Sequence, residues 1–211
     1  MEQRFQAYEI FNSIVRQGKY SNLAVKELLK GGQEEKRLVH AMVMGTLEKL
    51  IYIDYIIKAY ARGRVRPVVQ DILRLAVYQL LFMNVPHYAL CSQWAEMAVK
   101  LGKGAQKGYI NGVLRSIIRA MPNLPLPEKE AQPAKYLSVK YSYPEFLVKE
   151  SLSERGWEET EKMLSYQPEY YTSVRFEQSK ITREDFIKEL DRLDCQYKPG
   201  LLYNNVFLIK G

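Results

Sequence analysis

The residues in this sequence that could do chemistry are mostly cations, and they cluster around glycine. Arg62-Gly63-Arg64-Val65-Arg66 is a basic loop ending at Pro67. Its guanidinium forks could grip phosphate oxygens through paired hydrogen bonds. Lys100, Lys103 and Lys107 surround Gly102, Gly104 and Gly108. Amides exposed there, at the start of a helix, would meet the same oxygens. Arg115 and Arg119 lie about one helical turn apart and form a cationic stripe. Arg4, Arg16 and Lys19 flank the first helical segment and would extend this surface. The bland reading of each is a solvated charged turn. Gly102-x-Gly104-x-x-x-Gly108 is not a dinucleotide fingerprint, because it follows a helix and its spacing is wrong.

Other chemistries are poorly supplied. Cys91, in Leu-Cys-Ser, and Cys195, in Asp-Cys-Gln, are far apart and form no CxxC pair. They read as reduced, half-buried thiols, which suits a cytoplasmic protein. His40 and His87 do not make a metal site. Glu34-Glu35 and Glu158-Glu159 read as solvated surface pairs. Tyr52, Tyr55, Tyr60, Tyr78 and Tyr109 could stack on unpaired bases. Their helical spacing favours core positions with the hydroxyl at the surface. Asn111, between Ile110 and Gly112, reads as a buried amide bonded to a neighbouring helix's backbone. Met1 leads directly into Glu-Gln-Arg, so no secretory leader is expected, and no apolar run reaches the roughly 18 residues that span a bilayer.

The elements that must position these cations are helical. Ala7, Tyr8, Phe11, Ile14 and Val15 predict an amphipathic helix ending at Gly18. Ser21 is the expected cap of a short second helix with Val25, Leu28 and Leu29 inward, closed by Gly31-Gly32. Apolar periodicity then runs from Leu38 to Ile57, as one long helix or as two with Asp54 as a cap. Pro67 opens a strongly apolar helix through Leu81, which should be the most buried. Pro86 precedes a helix with a small-residue stripe, Ala89, Ala95, Ala98, Val99 and Leu101; a last helix carries Tyr109, Val113, Leu114, Ile117 and Ile118. These make an all-helical domain of about seven helices over residues 1–125. The proline-rich stretch from Met121 to Pro127 reads as a linker. In residues 126–211, short helices are predicted over 134–141, 144–155 and 157–166, punctuated by Gly156 and Pro168. A strand over 170–176, a helix over 183–193 capped by Thr182 and a strand over 203–209 follow. They form a partial small α+β unit of ferredoxin or RRM type, whose two strands would be marginal alone. The fold class is mainly α.

Charge divides at the same place. The net charge is +7. Residues 1–125 hold 18 Lys and Arg against 9 Asp and Glu, whereas residues 126–211 hold 13 against 15. A positive potential confined to the helical part points to a polyanion such as nucleic acid, or else to surplus surface lysines.

Three stretches, in order, resemble known sequences: residues 36–60 around Val43-Met44-Gly45-Thr46-Leu47, Ile72 to Phe82 with Val85-Pro86, and Lys103-Gly104-Ala105 with Tyr109-Ile110-Asn111-Gly112-Val113-Leu114-Arg115. They are similar to NusB-like domains and, in this combination, to the N-terminal region of the RsmB/Sun family of bacterial small-subunit rRNA cytosine-C5 methyltransferases. Tyr141-Ser142-Tyr143-Pro144-Glu145-Phe146-Leu147-Val148 resembles that family's next segment. Val174 to Lys180 sits where the family has a strand in which Arg175 and Lys180 match; Glu177 and Phe176 depart from the pattern, and a carboxylate there would repel phosphate.

The resemblance implies the RNA-recognition portion of such an enzyme, binding small-subunit (16S) rRNA. Its contacts would be Arg62, Arg64, Arg66, Lys100, Lys103, Lys107, Arg115 and Arg119, joined by Arg175 and Lys180. Catalysis by a cysteine thiolate with S-adenosylmethionine would belong to a methyltransferase domain acting in cis. Neither a glycine-rich cofactor loop nor the family's Pro-Cys and Thr-Cys motifs are present, so no catalytic or cofactor role falls to this chain, which would be inactive alone. A monomer away from membranes is expected. The alternatives are a stand-alone NusB-like antitermination or assembly factor binding RNA and a protein, and a helical protein-interaction bundle. The extension after Pro127 speaks against the former.

Overall fold

Apolar periodicity before residue 121 becomes seven helices around one core. The computed structural model describes residues 2–29, 31–166 and 171–210. Helices α1 (Glu2–Val15), α2 (Ser21–Leu28), α3 (Gln33–Glu48), α4 (Leu50–Tyr60), α5 (Pro67–Phe82), α6 (His87–Lys100) and α7 (Lys107–Ala120) run in order, with a short 3₁₀ turn between the last two. The long apolar run is therefore two helices, parted at Lys49. Asp54 does not cap the second; it lies inside α4. Ser21 is likewise the first helical residue of α2, with Tyr20 at the cap position and no side-chain cap bond, and Ala24 is that helix's fully buried residue. Helix α5 is the central one, burying Val69, Ile72, Leu73, Leu75, Ala76, Val77 and Leu80. Gly45 on α3 lets the Tyr78 ring of α5 lie against it; a Cβ there would fall about 2.0 Å from the phenol oxygen.

On α6 the expected Ala95 and Ala98 are buried, joined by Leu90, Cys91, Trp94 and Met97, whereas the expected Val99 is exposed. The tyrosines at 52, 55, 60, 78 and 109 are all partly buried against the core, as expected from their spacing. Glu35 is not simply solvated: its Oε2 accepts from the Gly32 N–H at 3.1 Å and closes the first turn of α3.

By its internal packing the chain falls into two units, Met1–Leu164 and Ser165–Gly211. The first takes in α8 (Pro133–Tyr141) and most of the helical segment α9 (Glu145–Ser165), which breaks at Gly156 with φ +74°. Position 125, where composition shifts, thus lies inside the first unit. Ser142 shows one reason. It takes the left-handed conformation just past α8, and its Oγ accepts from the Ile51 and Tyr52 amides at 3.0 and 3.2 Å. A residue about 90 positions away thereby caps the start of α4, which lacks a cap of its own. Leu137, Val148 and Leu164 form a small second core.

The second unit has β1 (Tyr171–Arg175), α10 (Arg183–Arg192), β2 (Tyr197–Pro199) and β3 (Val206–Lys210). The sheet is antiparallel in the order β1-β3-β2, with Val174 opposite Phe207 and Tyr197 opposite Ile209. The sequence reading missed β2, and its third strand relieves the marginality expected of two. Phe176, Phe186 and Phe207 pack between helix and sheet. Thr182 caps α10 as expected, accepting from the Asp185 N–H. The expected break at Pro168 and strand start at Tyr170 lie outside the described residues. Among the described residues no helix is long and apolar enough to cross a membrane.

Candidate nucleic-acid interface

Three of the expected surface cations have partners within this chain. Asp71 on α5 is fully buried. Its carboxylate accepts Nε and Nη2 of Arg16, both at 2.8 Å, and Nη1 of Arg74 at 3.0 Å. Arg74 forks again onto Asp54, at 2.8 and 2.7 Å. A buried carboxylate needs such charge-assisted bonds, so Arg16 is a structural partner. Arg4 donates to Gln79 Oε1, which also takes the indole N–H of Trp94, and Lys19 pairs with Glu27. Arg16 and Arg4 are thus committed to partners within the helical unit, whereas the Lys19 pair is exposed.

The loop between α4 and α5 is different. Arg62, Arg64 and Arg66 are exposed, and their guanidiniums have no ion-pair or hydrogen-bond partner among the described residues. Gly63 turns the loop with φ +72°. Tyr109 ties it to α7, its hydroxyl donating to the Arg62 carbonyl at 3.2 Å. At 3.6 residues per turn, Gly112, Arg119, Gly108 and Arg115 fall around α7 between Tyr109, which faces the loop, and Asn111, which faces α6. Both glycines are exposed, and a Cβ on either would meet nothing within 4 Å. Gly108 stands in the first turn of α7, and Gly112, mid-helix, costs about 1 kcal/mol relative to alanine. The pair leaves a flat strip beside two arginines, where another backbone can come close.

The remaining expected residues divide. Lys103 is exposed without a side-chain partner among the described residues, as is Arg115. Lys107 pairs with Glu96, Lys100 lies 4.0 Å over the Phe5 ring, and Arg119 donates to Ser116. Arg175 and Lys180 belong to the second unit. Arg175 closes β1, and Lys180 pairs with Glu177 at 2.7 Å. That contact holds the Glu177 carboxyl below its usual range.

The sequence reading missed a cleft of about 470 Å³ between α6 and α7, lined by His87, Tyr88, Cys91, Ser92, Asn111, Arg115 and Ile118. Its traces in the sequence are Asn111 and Arg115 one turn apart, facing the first turns of a helix that Pro86 opens without a side-chain cap. Asn111 is also a correction. Its Oδ1 is buried but has no hydrogen-bond partner among the described residues. Burial pushes the Cys91 thiol up, against a smaller opposing effect of Arg115.

The NusB family model matches residues 1–119, which hold all seven helices but the last residue of α7. The chain belongs to the NusB family. Its NusB region therefore carries the loop, the glycine strip and the cleft.

Similarity extends further. The probable ribosomal RNA small subunit methyltransferase B of Bacillus subtilis (strain 168) is 31% identical over 201 residues, covering 91% of this chain and 44% of the relative. Ribosomal RNA small subunit methyltransferase B of Escherichia coli O9:H4 (strain HS) is 28% identical over 207 residues, covering 95% and 46%. The chain spans about half the length of these relatives. The crystal structure of PH0851 superposes on the whole chain with a TM-score of 0.62 at 20% identity, covering 49% of that protein, and shares its fold.

Proposed function

We propose that this chain is the RNA-recognition portion of a small-subunit rRNA cytosine-C5 methyltransferase. The NusB region holds folded 16S rRNA by its phosphates, and the following elements orient a catalytic domain in cis, within a cytoplasmic monomer. The observation that carries this reading is the set of exposed cations without side-chain partners among the described residues, Arg62, Arg64, Arg66, Lys103 and Arg115, around a flat glycine strip. Phosphate contacts of this kind position a substrate without reading its sequence. Lys100, Lys107 and Arg119 lie beside that set and add to its potential; Arg175 and Lys180 contribute from the second unit.

S-adenosylmethionine, the methyl donor such chemistry uses, does not fit these residues. The strand-to-helix connection among the described residues, 176–182, contains no glycine, and in this reading cofactor and chemistry are assigned to a separate catalytic domain. A stand-alone antitermination factor is disfavoured because similarity to the methyltransferases runs over 201 residues, well past the 119 of the NusB match.

The test is equilibrium binding of the 211-residue chain to a small-subunit rRNA fragment over a range of salt. Each neutralised phosphate contributes roughly 0.7–0.9 to the slope of log K against log salt, so five contacts give about −4. Salt-independent affinity would overturn the reading.

A further inference from the structure

We propose that the cleft between the first turns of α6 and the middle of α7 is a pocket for one unpaired nucleobase. This rests on the RNA reading above and adds to it a contact that phosphate binding alone does not require. The cleft, at about 470 Å³, is within the roughly 300–1,000 Å³ of small-ligand sites. Tyr88 lines it and is 84% exposed. A ring presented in this way is a stacking platform, and stacking suits any base.

The opposite wall supplies polar edges. Asn111 leaves its Oδ1 buried without a partner among the described residues, a cost of about 1–3 kcal/mol that folded proteins rarely leave unrelieved. The last torsion of an asparagine side chain is soft and nearly two-fold. A small rotation brings the amide to a donor or acceptor on a base edge. Ser92 and His87 line the same space. Arg115, without an ion-pair partner among the described residues, stands beside Asn111 for the phosphate of the same nucleotide. A duplex cannot offer its bases to such a cleft, so the occupant is a looped-out or single-stranded residue.

The experiment is a cycle measured by fluorescence anisotropy on the whole chain. One arm replaces Tyr88 with alanine; the other replaces a short single-stranded oligouridylate with the same backbone lacking its bases. Stacking contributes roughly 1–3 kcal/mol per base, so Tyr88→Ala should weaken oligouridylate binding about 5- to 150-fold. It should leave abasic binding and the salt slope unchanged. Tyr88→Phe, which keeps the ring, should bind like the parent. Because Tyr88 is exposed, these variants keep the fold, which circular dichroism verifies. If Tyr88→Ala weakens both oligonucleotides equally, the pocket is overturned while phosphate recognition stands. If it weakens neither, the pocket is again overturned, as expected of a face that docks protein instead. If the parent chain binds no RNA in a salt-dependent way, the functional reading falls together with the pocket.

Discussion

Two sets of cations in the same helical unit behave in opposite ways. Arg16 and Arg74 are drawn onto the buried Asp71 and partly exposed Asp54, with Arg4 on Gln79 close by. Arg62, Arg64, Arg66, Lys103 and Arg115 face solvent with no such partner among the described residues. The side chains are largely of one type; the carboxylates beside them differ. Net charge therefore overstates the proposed interface, and partnering narrows the candidates for it. A paired arginine offers an incoming phosphate little, because its donors are already used.

The comparison can be broken first through Asp71. Asp71→Ala removes the carboxylate that holds Arg16 and Arg74, and urea unfolding should show a loss of about 3 kcal/mol or more. A loss below about 1 kcal/mol would mean that the paired set is not structural. Replacing Arg62, Arg64 and Arg66 together with glutamine should do the reverse. Stability should stay within about 0.5 kcal/mol, while affinity for the rRNA fragment falls on the order of tenfold or more at moderate salt. Gly112→Ala sharpens the contrast, because it should stabilise the fold by about 1 kcal/mol through helix propensity yet weaken RNA binding by crowding the strip. Improved stability with unchanged binding would remove the strip from the interface.

Ser142→Ala should cost about 1–2 kcal/mol, through loss of the α4 cap and strain in the left-handed conformation. The smallest effect concerns Glu161, whose carboxyl is held below its usual range by Lys140, with help from Tyr141 and Trp157. A depressed folded-state value stabilises the fold above the unfolded value, about pH 4.3. That contribution disappears as pH falls through the folded value. Glu161→Gln should therefore be less stable than the parent at pH 7 by under about 1 kcal/mol, and the gap should close in acid.

The helices were legible because their apolar residues repeat at the helical period, and Pro67, Gly63 and Gly102 mark their boundaries. The candidate cations were legible as residue types but not as free or paired. That distinction depends on Asp71, 55 positions from Arg16, and no local pattern announces it. Ser142 escaped for the same reason: its role lies at Ile51 and Tyr52, on a distant helix. The short β2 has only three residues, Tyr197–Pro199, too few for an alternating pattern to stand out. The cleft needs α6 and α7 side by side before Asn111 can be seen to lack a partner.

The most direct measurement of the central claim compares salt slopes of RNA binding for the parent chain, the Arg62, Arg64 and Arg66→Gln triple variant and Arg16→Gln, each confirmed folded. If the free cations hold phosphates, the triple variant loses roughly 2–3 from the magnitude of the slope and Arg16→Gln keeps the parent's slope. An unchanged slope in the triple variant, or an equal loss in Arg16→Gln, would contradict the account.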